Sequence, residues 1–350
     1  MKKAQVSVPF QWMYVLIAGA VILMLFITFV SRQKDSSEKQ LSIEVTQKLN
    51  NIFTLTAQST KTFNPQRMSP AELHFSCDKD DVSQYWIGKG SPESIETIAV
   101  FASSRIPIEK QLDTWTWPFD MPFSVMNVMF LSSPTITTFV VYDDEPFSET
   151  IRTKMQEDFP GEFNVIDIEI DDFTNERGYS LSTPLVRMIY LTDIQQLPPR
   201  IQRMPDQNVL AVRIGSERTA TYYKKQGNQL IEDEAVAIIQ TLDDPNPAFY
   251  GVFFSQNAEF YQCTMRKIFK RMSLLAGLYE ARADEMKREY LRNNQRECEL
   301  LVDPDLFRQL KQMIDSCDGG QSCLGQIERA SEHISQRSAI ISNQGCATLW

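Results

Sequence analysis

The strongest hydrophobic pattern in the chain is an apolar run close to the N-terminus. Residues 12–30 read WMYVLIAGAVILMLFITFV, and no charged residue occurs between Ala4 and Ser31. A helix rises about 1.5 Å per residue, so a run of this length matches a hydrocarbon core about 30 Å thick. A cleaved signal peptide usually has a shorter apolar region followed by a small-x-small site. The pattern therefore predicts one retained transmembrane helix, a signal anchor that contacts the lipid bilayer through residues 12–30.

Helical periodicity continues beyond this run. Leu41, Val45, Leu49 and Ile52 recur at intervals of three and four residues and define one apolar stripe. Residues 32–62 are therefore predicted to form a juxtamembrane helix. It is either a stalk that packs on its own domain or a continuation of the membrane helix that is available for packing between subunits.

From residue 63 to residue 260 the pattern alternates between short apolar runs and helical segments. Strands are predicted at 73–77, 85–88, 98–101, 138–142, 164–170, 188–191, 209–214 and 250–254, with a hairpin at 221–230. Helices are predicted at 149–159, with Ser148 as the N-cap, and at 234–242. The continuously apolar strand at 138–142 is followed by a helix and a second strand, which predicts a βαβ unit in a partly parallel sheet. The fold class expected for this region is mixed α/β.

The final region, residues 261–350, has helical periodicity. A long helix is predicted from Gln262 onward, a second begins at Asp303 and Pro304, and a third covers 324–341. The predicted organisation is a cytoplasmic stub with a transmembrane helix at 1–31, the juxtamembrane helix at 32–62, the α/β domain at 63–260 and an α-helical unit at 261–350.

Composition and charge narrow the choice of partners. Hydrophobic residues make up 43% of the chain and charged residues 23%, which is ordinary for a globular protein. The formal net charge is -10, from 45 acidic and 35 basic residues. Nucleic-acid binding needs a concentrated basic face, so no nucleic-acid partner is predicted. Lys2 and Lys3 precede the apolar run, while basic and acidic residues are mixed after it. The positive-inside bias therefore favours a cytoplasmic N-terminus only modestly.

Cysteine positions suggest a disulfide framework. Six cysteines occur, and five of them lie in or near the helical unit. Cys263 and Cys298 flank a helix about 45 Å long and cannot bond to each other, because bonded cysteines have Cα atoms within about 7 Å. A Gly-Gly turn allows Cys317 to close on Cys323. These considerations leave three expected pairs: Cys317–Cys323, Cys298–Cys346 and Cys77–Cys263.

Other uses of the cysteines fit the sequence poorly. Zinc sites use cysteine pairs two to four residues apart, together with further Cys or His ligands. Here the closest pair is separated by five residues, and the only histidines are His74 and His333. A catalytic thiol needs a base beside it, but His74 and Cys77 are expected on opposite faces of a strand. If the body lies outside the cytoplasm, disulfides are the expected state of the cysteines.

One group of residues could belong to an enzyme. Ligands in open α/β sheets bind beyond the carboxyl ends of the strands, and these ends are acidic here: Asp143, Asp144, Asp171 and Asp193. Converging carboxylates could hold Mg²⁺ for phosphoryl chemistry. The alternative is that they terminate strands and form turns. Glycine-rich phosphate loops and nucleophile elbows are absent from the sequence, so no cofactor, metal or catalytic residue is assigned.

An aromatic cluster at Trp115, Trp117 and Phe119 has two interpretations. It could form an exposed platform for a ligand or glycan. Alternatively, it packs in the core and fixes a loop beside Pro118, which is the commoner role of such clusters.

The first 31 residues resemble a known type of leader. Met-Lys-Lys-Ala-Gln-Val-Ser-Val followed by an apolar helix is similar to the leader of archaeal type IV pilin-like proteins. The resemblance implies cleavage between Ala4 and Gln5. Pro9 stands where that family usually has the Glu needed for filament assembly. The segment FQWMYVLIAGAVILMLF also resembles the anchor of uncharacterised archaeal single-pass membrane proteins.

The sequence thus predicts a membrane-anchored extracytoplasmic protein without catalytic activity that serves in interaction or assembly. Its partner is an unidentified protein or another copy of the chain. Two alternatives remain: a pilin-like filament subunit, and a metal-dependent hydrolase or nucleotide-binding domain that uses the strand-end aspartates.

Overall fold

A computed structural model describes residues 7–56, 61–77, 82–88, 90–159, 161, 163–193, 195–239 and 247–348. The chain divides into two compact units, residues 1–49 and residues 50–350. The mixed α/β class with C-terminal helices, predicted from the sequence, is confirmed by the elements of the second unit.

Helix α1 runs from Ser7 to Thr56. Its residues up to Leu49 form the described part of the first unit, and its last residues belong to the second unit. The helix is continuous through the predicted membrane run and most of the predicted juxtamembrane segment 32–62, because no turn sequence interrupts them. It ends at Thr56, short of the predicted bound, and residue 62 begins a strand. In the part of the chain that the structure describes, no helix combines the length and the apolar character needed to cross a membrane.

The strands of the second unit form three sheets. In chain order they are β1 (Thr62–Arg67), β2 (Ala71–Cys77), β3 (Ser83–Ile87), β4 (Glu93–Ile95), β5 (Ala99–Phe101), β6 (Arg105–Ile108), β7 (Gln111–Asp120), β8 (Ser124–Ser132), β9 (Ile136–Tyr142), β10 (Val165–Glu169), β11 (Leu185–Tyr190), β12 (Val209–Gly215), β13 (Thr219–Gln226) and β14 (Gln229–Ala237).

The helices of the second unit lie between and after these strands. They are α2 (Pro146–Asp158), α3 (Ile170–Thr174), α4 (Pro199–Gln202), α5 (Pro247–Phe254), α6 (Ala258–Arg292), α7 (Arg296–Leu301), α8 (Pro304–Asp315) and α9 (Gln321–Asn343), with a short 3-10 helix at Asp206–Asn208.

The largest sheet has the order β10-β9-β11-β12-β13-β14. Its first four strands are parallel to one another, and β13 pairs antiparallel with both β12 and β14. The segment β9-α2-β10 is the expected βαβ unit, and β13 and β14 form the expected hairpin around Gly227. The strand that follows β9 in the chain, β10, lies on one side of β9, and the next strand, β11, lies on the other side. The strand order therefore reverses between β9 and β11.

Each face of this sheet is covered by a separate hydrophobic cluster. Val140, Ile189 and Val212 belong to a cluster that extends through α5 into the C-terminal helices. Phe139, Met188 and their neighbours belong to the cluster on the other face. Consecutive residues of β9 and β11 alternate between the two clusters, which explains why these strands are apolar throughout.

Two four-stranded sheets complete the α/β region, with orders β1-β7-β8-β5 and β4-β3-β2-β6. The inner face of the second sheet packs on the last turns of α1, where Phe53 contacts Tyr85 at a ring-centroid distance of 5.3 Å. The Tyr85 hydroxyl donates to Asn50 Oδ1 at 2.9 Å or to Glu93 Oε2 at 3.0 Å. This polar contact fixes the end of α1 on the sheet.

Two of the predicted elements are wrong, and both lie beside residues 240–246, which are outside the described part of the chain. The predicted helix at 234–242 is strand β14 as far as Ala237, because pairing with β13 satisfies its backbone. The predicted strand at 250–254 is helix α5, all eight residues of which are buried. A short apolar run has no polar face, so periodicity alone cannot separate a buried helix from a buried strand.

Helix α5 packs against elements of two sheets and against α2. Tyr250 stacks on Trp117 of β7 at 5.2 Å, and its hydroxyl donates to Asp158 at the end of α2. The carbonyl oxygen of Val252 accepts a hydrogen bond from Tyr222 of β13 at 3.0 Å. A Cβ atom at Gly251 would lie 2.6 Å from the ring of Phe101 in β5. Helix α5 therefore joins two sheets and α2.

Helix α8 begins at the predicted residues, whereas α6 begins at Ala258, four residues before its predicted start at Gln262. Asn257 caps α6 by accepting from the backbone N–H of Phe260, and Asp303 caps α8 by accepting from that of Asp305. Asn and Asp are favoured there because their side-chain oxygens satisfy free N–H groups of the first turn. The apolar stripes of α6, α8 and α9 join the cluster that also covers the large sheet.

We expect Gly251→Ala to destabilise the full-length chain by about 1–3 kcal/mol, the usual cost of overpacking a core. Phe101 cannot yield, because its ring is fully buried and stacks on Phe130 and Tyr261. The free energy of unfolding in urea, followed by circular dichroism, measures the effect.

Gly277→Ala is the matched control for that substitution. Gly277 also lies in a helix, but a Cβ there would meet only the Lys311 side chain, at 3.7 Å. Removing glycine from a helix interior stabilises it by up to about 1 kcal/mol. Equal stability of Gly251→Ala and wild type would show that Phe101 does not restrict this position.

Candidate functional site

The structure pairs the six cysteines in three disulfides. Their Cα–Cα distances are 6.4 Å for Cys77–Cys263, 5.7 Å for Cys298–Cys346 and 5.5 Å for Cys317–Cys323. These are the three pairs selected from the sequence, and the distances are ordinary for disulfides. Cys77–Cys263 joins β2 to α6, whereas the other two bridges close loops within the C-terminal helices.

The strand-end aspartates lie at the carboxyl edge of the parallel strands, as expected, but they do not gather around one point. Asp193 is exposed and forms an ion pair with Arg213 at 2.5 Å. Asp171 is exposed in the first turn of α3, where its backbone oxygen accepts from Asn175. Asp144 is also exposed. Each of these three residues therefore belongs to its own turn or surface contact.

Asp143 is held in a hydrogen-bond network at the point where the strand order reverses. Ser148 Oγ donates to its carboxylate at 2.5 Å and also lies 2.6 Å from the carbonyl oxygen of Leu191. The backbone N–H of Glu145 donates to the same carboxylate. Partial burial opposes ionisation, but hydrogen bonds from Ser148, Thr192 and Glu145 outweigh it and lower the pKa of Asp143.

This network corrects the role predicted for Ser148. The N-cap of α2 is Glu145, and its side chain makes no capping hydrogen bond. Ser148 instead lies inside the first turn and is 1% exposed. Its hydroxyl contacts Asp143, just after β9, and the carbonyl oxygen of Leu191, just after β11. Ligands of open α/β sheets bind near this point of the sheet.

Grouped metal-ligand residues occur elsewhere. Among the described residues, the group close enough to share an ion is Cys317, Asp318 and Cys323. Both cysteines are bonded to each other, and a disulfide sulfur is not a thiolate ligand. The described geometry therefore gives no support to a magnesium site at Asp143, Asp144, Asp171 and Asp193.

The aromatic cluster predicted from the sequence packs in the core. Trp115 and Phe119 are each 1% exposed. Trp115 contacts the rings of Trp117, Phe130 and Tyr250 at 4.9–5.3 Å. Lys61 lies over the remaining face of Trp117, 3.6 Å from its centroid. This arrangement matches the structural interpretation of the cluster and leaves no exposed platform at Trp115.

The outward face of β2, β3 and β6 carries a surface cluster that the sequence analysis did not identify. His74 stacks on Trp86 at a centroid distance of 5.2 Å, and the rings are nearly parallel. Glu72 lies 3.3 Å from His74 and forms an ion pair with Arg105 at 2.5 Å. We call these four residues the β2–β3 face. The alternation of Leu73 and Phe75 with polar residues is the sequence signal that could have revealed it.

Arg187 is a second residue whose role the sequence pattern did not reveal. It is a single charged residue within the apolar strand Leu185–Tyr190, and it is 2% exposed. A lone charge beside the predicted strand 188–191 is the signal that could have marked it, because buried charges are rare without a partner.

We expect Asp143→Asn to destabilise the protein at neutral pH by on the order of 1 kcal/mol, since the charged acceptor of three hydrogen bonds is lost. A lowered pKa means that ionised Asp143 contributes stability above its unfolded-state pKa and loses it as the pH falls through the folded-state pKa. The difference from wild type should therefore shrink below about pH 4. Urea unfolding at several pH values tests this.

Asp144→Asn controls for the loss of one surface charge at the same strand end. It should change the free energy of unfolding by less than about 0.5 kcal/mol at every pH. An effect of Asp143→Asn that persists undiminished at acidic pH would contradict the assigned hydrogen-bond network.

Comparison with known proteins assigns no family to this chain. No protein-family model, curated protein or solved structure matches it. Any function must therefore be inferred from its own residues and their arrangement.

Proposed function

We propose that this chain is a single-pass membrane protein with a cytoplasmic N-terminus. In this proposal the second unit lies outside the cytoplasm and acts by binding another protein or further copies of the chain, without catalysis. The observation that carries the proposal is the set of three disulfides.

Disulfide bonds favour a location of the second unit outside the cytoplasm. Cytosolic glutathione and thioredoxin keep most thiols reduced, whereas bridges persist in extracytoplasmic spaces. Cys77–Cys263 spans 186 residues and joins the α/β region to the C-terminal helices, while Cys317–Cys323 spans only 6. Disulfides of this kind are typical of secreted or surface-exposed proteins.

The apolar N-terminal sequence supplies the proposed anchor. The proposal is supported by the charge-free run 12–30, of which the structure describes most but not all side chains. The large apolar side chains described between Met13 and Val30 are 53–72% exposed. So much apolar surface on one helix is unfavourable in water and favourable in lipid.

The β2–β3 face is the proposed contact surface. Aromatic residues and arginine are enriched at the centres of protein interfaces, and Trp86, His74 and Arg105 lie together here. The Trp86 indole is only partly buried. A partner covering this face would gain apolar burial from the stacked rings and could pair with Glu72 or Arg105.

A filament subunit is the second candidate function. It is favoured by the continuity of α1 from Ser7 to Thr56, because one long N-terminal helix could pack between subunits. The N-terminal residue of the mature protein separates the two candidates. A start at Gln5 supports the processed, pilin-like subunit, and an intact Met1 supports the retained anchor.

We expect Leu23→Arg combined with Leu25→Arg to prevent membrane insertion, since each charge near the middle of a membrane helix costs about 2.5–3.5 kcal/mol. After alkaline carbonate extraction of membranes, wild type should remain in the pellet. Before reduction, none of its cysteines should react with N-ethylmaleimide. The double variant should appear in the soluble fraction with reactive thiols, as read by mass spectrometry.

Leu55→Arg is the control, because Leu55 lies on the same helix, is 70% exposed and is outside the apolar run. It should behave as wild type. Six alkylated thiols in wild-type protein from fresh membranes would contradict the extracytoplasmic location.

The contact surface is tested with a photocrosslinking amino acid in place of Ser94, which is exposed on β4 beside the β2–β3 face. In intact membranes we expect an adduct that Trp86→Ala weakens several-fold. The same probe at Glu217, in the turn between β12 and β13, should give no adduct. Equal adducts at both positions would contradict a specific contact at this face.

A further inference from the structure

Arg187 combines burial with an incomplete set of partners. It lies on β11 between β9 and β12, opposite Thr138 and Leu210. Its Nη2 donates to Ser103 Oγ at 2.7 Å, and its guanidinium lies 5.1 Å from the ring centroid of Phe254. Its Nε is buried and has no hydrogen-bond partner among the described residues.

A neutral hydroxyl and an aromatic ring do not compensate for a buried positive charge. Buried charges are normally paired with an opposite charge, because moving an ion out of water costs several kcal/mol. Burial lowers the pKa of Arg187 to about 10, and no carboxylate of the described residues counteracts this. Among the described residues, the site is therefore short of one negative charge.

A cavity adjoins this arginine. It has a volume of about 10 Å³ and is lined by Arg187, by the polar residues Ser132, Thr138 and Asn164, and by aliphatic and aromatic residues that include Phe163 and Phe254. Space of this size holds a single small particle, either a water molecule or a monatomic ion. A phosphate, a sulfate or an organic carboxylate is too large for it.

We propose that this cavity binds one monatomic anion, chloride, against the guanidinium of Arg187. The anion supplies the missing negative charge and gives Nε an acceptor. The hydroxyls of Ser132 and Thr138 can donate to the same ion. The site is structural: it stabilises the contact between the large sheet and α5, and it is independent of the proposed membrane location and binding function.

The test is thermal unfolding of the full-length protein in detergent, at constant ionic strength, as sodium gluconate is replaced by sodium chloride. Gluconate is too large for the cavity. Wild type should show a saturable rise in Tm, about 2 °C at a tenfold excess of chloride over its Kd. Arg187→Met, which removes the charge and keeps a long apolar side chain, should show none.

A second measurement does not depend on the variant folding. In crystals of wild type grown with bromide, an anomalous peak should lie within contact distance of the Arg187 guanidinium. A site occupied only by water would give no peak and no chloride dependence of Tm, and either result would overturn the proposal.

Glu162 lies outside the described residues but is close in sequence to Phe163, so it is tested as an internal source of the negative charge. Glu162→Gln should respond to chloride as wild type does. If wild type is insensitive and Glu162→Gln becomes sensitive, the counter-charge is a side chain and the proposal is wrong.

Discussion

The close packing of α5 on the ring of Phe101 is the contact on which the rest of the second unit depends. Gly251 lets the helix backbone approach β5. Tyr250 then reaches Trp117 and Asp158, and Val252 reaches Tyr222. A side chain at this glycine would move α5 away from β5 and weaken these contacts together. Since packed interiors have few voids, a shift at one such position is transmitted to its neighbours.

A buried hydrogen-bond network lies where the order of the parallel strands reverses. The reversal falls between β9 and β11, where other α/β proteins bind ligands. Ser148 links the two strand ends there through Asp143 and the backbone of Leu191. The carboxylate that could have held a metal thus stabilises the start of α2. The other acidic strand ends lie at the surface, where Asp171 takes part in the first turn of α3 and Asp193 pairs with Arg213.

The charged residues of the β2–β3 face are exposed to solvent, whereas Arg187 is enclosed in the core. At the β2–β3 face, Glu72 and Arg105 pair at the surface, and the stacked rings of His74 and Trp86 are only partly covered. Around Arg187 the charge is fully enclosed, and the described protein supplies only a hydroxyl and a ring. A surface pair costs little and can rearrange for a partner, whereas an enclosed charge requires a permanent counter-charge.

The sequence by itself determined the elements with strong local signals. The alternating and apolar runs indicated β9, β11 and β12, the glycine turn indicated the β13–β14 hairpin, and Asp303 marked the start of α8. Tertiary structure decided what local patterns cannot encode. Residues 250–254 are helical because they are enclosed on every side, and β14 is a strand because β13 offers it a partner. Ser148 and Arg187 likewise acquired their roles from residues distant in sequence, since burial and hydrogen-bond partners exist only once the chain is folded.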